Sequence, residues 1–98
     1  MKVYFIEKNR DKILASIKEA LGDRELAKLV HFNMNVGSLD VVISKLGTST
    51  LQFTEEETTL GMEYRLTSEK IAFAHRAFKD EVTKKIVRVI ERAGGKVT

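Results

Sequence analysis

The sequence predicts an α+β domain of element order β-α-β-β-β-β-α, an antiparallel sheet with two helices packed on one face and a long C-terminal helix. Three observations predict it. Apolar residues alternate with polar ones through much of residues 31–64, the period of half-buried strands. On either side of that stretch they recur at helical spacing. Glycine, the strong breaker in a chain without proline, stands at the boundaries: Gly22, Gly37, Gly47 and the pair Gly94-Gly95.

Taken in order, Lys2 to Glu7 is rich in Val, Tyr, Phe and Ile and predicts a first strand. Asn9 suits an N-cap, and Asp11 complements the positive end of the helix that follows. Ile13, Leu14, Ile17, Ala20 and Leu21 share one face of that helix, which Gly22 closes. Asp23 is expected to cap a further short helix carrying Leu26, Leu29 and Val30.

From His31 the period changes to two, with Phe32, Met34 and Val36 facing inward. Gly37-Ser38 suits a hairpin turn. Leu39, Val41 and Ile43 form the inner face of the next strand, and Gly47 lies in a second turn. Leu51 and Phe53 point inward from a third antiparallel strand. Glu55-Glu56-Glu57 is expected as an exposed turn, and Leu60, Met62 and Tyr64 as a fourth strand. The first strand pairs at an edge or in the middle; both remain open. The outer face, with Asn33, Asn35, Asp40, Ser44, Thr50, Gln52 and Thr54, is polar.

Thr67 or Ser68 then caps the last helix, with Glu69 in its first turn, and Gly94-Gly95 ends it. About 24 residues at 1.5 Å each span roughly 36 Å. Ile71, Phe78, Val82, Ile86, Val89 and Ala93 fall on one core-facing arc, with Ala74 at its edge and His75 within it. Phe73 and Val87 fall on the opposite side. With Arg76 and Asp80 beside them, they are expected to form a contact surface, most simply for a symmetric homodimer.

Net charge is +3, a mild excess, but its distribution is uneven. Residues 65–98 hold nine Lys/Arg against four Asp/Glu, whereas residues 41–64 hold one Lys against four Glu. Lys79, Lys84, Lys85, Arg88 and Arg92 would line a phosphate track if the last helix met nucleic acid. Spacing opposes this: Arg76–Asp80, Asp80–Lys84 and Glu81–Lys85 are i,i+4 pairs and Arg88–Glu91 is i,i+3, the pattern of a salt-bridged solvated face.

The absence of cysteine excludes disulfides, thiolate nucleophiles and Cys-ligated metal. His31 and His75 are the only histidines, with no local His or Glu partner at ligand spacing, so no metal and no cofactor is expected. His75 with Ser68, Glu63 or Asp40 is the one catalytic combination left to tertiary proximity; a partly buried structural histidine is favoured over it. No phosphate-loop, Walker or nucleophile-elbow pattern occurs. Met1 to Ile6 is too short and too soon charged for a signal peptide, and no apolar run reaches the ~18 residues of a membrane span. A soluble cytoplasmic chain, a single domain over residues 1–98, is expected.

These observations favour a small non-enzymatic binding or assembly module, self-associating through its C-terminal helix and sheet. A nucleic-acid-binding protein using the basic helix face is the alternative. A third reading is a small-ligand domain with a pocket between sheet and helix, bordered by Met34, Phe53, Met62, Phe78 and Val82.

Overall fold

The computed structural model describes residues 1–98. Its elements are β1 (Lys2–Phe5), α1 (Arg10–Leu21), a 3-10 turn (Glu25–Lys28), β2 (Val30–Asn35), β3 (Ser38–Ser44), β4 (Thr48–Glu57), β5 (Met62–Lys70), a second 3-10 turn (Phe73–His75), α2 (Lys79–Arg92) and β6 (Lys96–Val97). The six strands form one sheet in the order β2-β3-β4-β5-β1-β6, antiparallel throughout. The α+β class and the antiparallel sheet with two α-helices are therefore as the periodicity predicts. No helix is long and apolar enough to cross a membrane.

The core follows the alternation. Val30 and Phe32 of β2, Leu39, Val41 and Ile43 of β3, Leu51 and Phe53 of β4, and Met62 and Tyr64 of β5 are all buried. They join Ile13, Ile17 and Leu21 of α1 and Val82, Ile86, Val89 and Ile90 of α2 in a single cluster. Each fully buried aliphatic or Phe side chain contributes about 1.5–3 kcal/mol. The Asn9 side chain accepts from the Lys12 backbone N–H at 3.1 Å, and Gly22 at φ 62° ends α1, both as the sequence indicates.

Several boundaries differ from expectation. The segment after Asp23 is a 3-10 turn entered through Arg24, with no side-chain cap, and Val30 belongs to β2. Val36 and Leu60 are turn residues, fully and three-quarters exposed, where inward positions were expected. The β4 strand continues through Glu55, Glu56 and Glu57, which are therefore not a turn. The turn is made instead by Thr58, whose Oγ1 accepts from the backbone N–H groups of Leu60 and Gly61. Gly61 is required there because a Cβ would collide with the Phe5 carbonyl oxygen of β1.

The largest correction concerns the last helix. Thr67, Ser68 and Glu69 do not cap it; they extend β5, which pairs with β4 as far as Thr50↔Lys70. Thr67 is the extra residue of a bulge, since Gln52 faces Ser68 while Phe53 faces Leu66. α2 starts only at Lys79 and has 14 residues, about 21 Å. Beyond Gly94-Gly95 the chain adds β6, which pairs with β1 through Val3↔Val97 and leaves β1 inside the sheet.

Candidate functional site

The shortening of α2 scatters the expected contact surface. Phe73 lies in the 3-10 turn and is 83% exposed, while Val87 is half-buried on α2, so the two no longer share a helix face. The Arg76 guanidinium sits 5.5 Å over the Phe73 ring, held by cation–π attraction rather than by Asp80, which is exposed in the first turn of α2.

His75 is buried in a closed network. Its Nε2 lies 2.5 Å from the Lys45 carbonyl oxygen, which can only accept, so Nε2 carries the proton. Nδ1 then accepts from the Ser49 hydroxyl at 2.5 Å, and Ser49 Oγ accepts from the Ala72 N–H at 2.8 Å. The partner is Ser49, not Ser68, Glu63 or Asp40. A serine hydroxyl donating to a histidine resembles a nucleophile and its base. Here both are inaccessible, at 0% and 1% exposure. The network ties the β3–β4 turn to the segment entering α2.

A second polar cluster lies where α1 meets the sheet. The Arg10 Nε donates to Glu55 Oε2 at 2.7 Å, and the Tyr64 hydroxyl donates to the same oxygen at 2.8 Å. Arg10 also donates to the Asn35 carbonyl oxygen. Burial, and then the bond to Glu55, push the Tyr64 phenol well above its ordinary value. The bond to Glu55 likewise raises Arg10.

The third feature is a cleft between the helices. The end of α1, Gly22 and the extended Arg24 bring the chain back beside α2. There Ala20, Leu21, Leu26 and Val89 form a floor, and Arg24, Lys85, Arg88 and Arg92 surround it, enclosing about 160 Å³. Positions 85, 88, 89 and 92 of α2 share one stripe by their i, i+3, i+4, i+7 spacing. An adjoining, more polar hollow is bordered by Ser16, Glu19, Ala20, Arg24, Arg92 and Ala93.

Of the four ion pairs that spacing suggests, only Glu81–Lys85 forms, at 3.7 Å between exposed groups. Arg24, Arg88 and Arg92 have no carboxylate within 4.0 Å. Arg76 lies ahead of α2, so its helical spacing to Asp80 is not realised. Lys79 is engaged by Glu69 at 3.3 Å, and Lys84 is exposed but does not border the cleft. The structure thus brings together Lys85, Arg88 and Arg92, leaves Lys79 and Lys84 outside, and adds Arg24.

No family model, curated protein or solved structure matches this chain. The arrangement of its own residues therefore carries the functional reading. Besides the two hollows of the cleft, one cavity of about 190 Å³ lies on the outer sheet face, between Thr50, Gln52, Ser68 and Lys70. None of the three is bordered by Met34, Phe53, Met62, Phe78 or Val82. No group of three or more acidic or histidine side chains converges as a metal site.

Proposed function

We propose that this chain is a small non-enzymatic binding module that contacts the phosphates of a nucleic acid through the cleft between α1 and α2. One observation carries the reading: three arginines without carboxylate partners and one lysine surround a single concavity. Arginine side chains that a fold does not use for itself, gathered on one site, suit phosphate oxygens because each guanidinium offers a fork of donors. Four cations are a modest footprint, so binding is expected in the micromolar range and to depend strongly on salt.

The test is fluorescence anisotropy with labelled DNA and RNA between about 50 and 200 mM salt. A slope of log affinity against log salt of about −3 is expected if all four cations engage. Replacing Arg88 and Arg92 together by Gln should reduce that slope by about two. Absence of binding at the lowest salt would remove the reading.

Self-association is the second reading, favoured by exposed apolar side chains at one end of the sheet. Phe73 and Leu46 are 83% and 84% exposed, on segments that abut where the Lys45 carbonyl meets His75. A homodimer through that end predicts that Phe73→Glu lowers the mass seen by light scattering. A parent protein that is monomeric at high micromolar concentration counts against it.

A further inference from the structure

We infer that the cleft selects single strands, seating one unpaired base on its apolar floor while the flanking phosphates lie on its cationic rim. The inference rests on the nucleic-acid reading above and goes beyond it, because phosphate contact alone needs no floor. A surface that only neutralises a backbone can be polar and convex. This one is concave, and the part-exposed Ala20 and Leu26, backed by the buried Leu21 and Val89, present hydrocarbon between the charges.

The shape separates the two kinds of nucleic acid. A duplex turns its bases inward and offers sugar and phosphate on a convex surface. It can touch Lys85, Arg88 and Arg92, but it leaves the floor wet. A single strand has bases free to leave the stack, and such bases stack on aromatic rings or on arginine guanidinium planes, of which this rim offers three. The 160 Å³ of the floor compartment is small beside the 300–1,000 Å³ typical of pockets for drug-sized molecules, and suits one ring system.

The charges agree in length and direction. Lys85, Arg88 and Arg92 spread over about 10 Å of helix axis, enough to reach the phosphates on either side of one base. Arg24 stands on the other bank, so the floor has cations on both sides. Glu19 borders only the adjoining hollow, shared through Arg24, Arg92 and Ala20. A carboxylate there repels a phosphate and accepts from an amino group, which places the backbone toward Lys85 and Arg88 and a base edge toward Glu19.

The experiment compares four probes of equal phosphate number by anisotropy at about 50 mM salt. They are a DNA strand, an RNA strand, an abasic phosphodiester strand and a blunt duplex. One or both base-bearing strands should bind about tenfold more tightly than the abasic strand and the duplex. Two variants test the floor. Leu26→Asn makes it polar, and Ala20→Leu fills it with no change of charge. Each should bring the base-bearing strand down to the affinity of the abasic one with the salt slope unchanged, and circular dichroism shows which variants are folded. If the abasic strand or the duplex binds as tightly as the base-bearing strands, the inference is overturned and phosphate contact alone stands. If none of the four binds, the nucleic-acid reading itself is lost.

Discussion

Two regions of this molecule hold polar side chains in opposite ways. Beneath the β3–β4 turn, His75 has an acceptor for its one donor, a donor for its one acceptor, and a serine bonded in turn to a backbone N–H. In the cleft between α1 and α2, three arginines and a lysine stand together, with one long, exposed ion pair among them. The first region is closed upon itself, as burial demands, because an unmet polar group in the interior costs about 1–3 kcal/mol. The second is solvated, so its charges cost little unpaired and stay available to a ligand. The contrast separates the two: chemistry-bearing residue types in the interior hold the fold, and ordinary surface cations form the proposed site.

The comparison is broken most directly at His75. His75→Ala removes a donor and an acceptor at once, strands the Ser49 hydroxyl and the Lys45 carbonyl, and leaves a cavity. A loss of about 3 kcal/mol in urea or thermal unfolding is expected. His75→Gln, whose amide nitrogen reaches toward the Nε2 position, should recover part of it. Nucleic-acid affinity of the folded fraction should be unchanged. A stability cost under about 1 kcal/mol would mean that the network is not what holds the turn to the α2 entry.

The clarity of each region in the sequence follows from how local its determinants are. Leu39, Val41 and Ile43, or Leu51 and Phe53, announce their face because a strand's side chains alternate whatever lies beyond it. Asn9 and Gly22 mark the ends of α1 through bonds made within one turn. The stretch from Thr67 to Phe78 misleads because it has cap-type residues, and Ile71 and Phe78 fit a helical arc. The opposing information is in β4, where Thr50, Leu51 and Gln52 give Lys70, Glu69 and Ser68 their partners. Glu55 sits in a run of three acids and resembles a solvated turn; its partner Arg10 is 45 residues away. Arg24 lies between Asp23 and Glu25 in the sequence and joins the cleft only when the two helices pack side by side. The β6 strand has two residues and no pattern to detect.

Tyr64 gives a smaller effect with a pH signature. Its phenol is buried against Glu55, so its folded-state pKa stands above the ordinary value of 10.0. The unfolded chain then releases this proton at lower pH than the folded one. Stability from this group is complete below about pH 10 and falls as pH rises toward the folded value. Tyr64→Phe should cost about 1 kcal/mol at neutral pH through the lost bond to Glu55. Its alkaline decline in stability should be shallower than that of the parent protein. Parallel declines above pH 10 would show that Tyr64 titrates as a solvated phenol and that the cluster is looser than its geometry indicates.

The smallest stability effect is the most informative about function. If Arg24, Arg88 and Arg92 serve the fold, replacing all three by Gln should destabilise it, as loss of partnered charges does. No carboxylate lies within 4.0 Å of any of them, and they share the cleft with Lys85. Their mutual repulsion should therefore leave the triple variant unchanged or a few tenths of a kcal/mol more stable at low salt. The difference should vanish as salt screens the cluster within about 10 Å at 0.1 M. The same three substitutions should remove most of the nucleic-acid affinity and flatten its salt dependence. A variant that loses stability by more than about 1 kcal/mol would place these arginines with His75 as parts of the scaffold, and the division drawn between the two regions would fail.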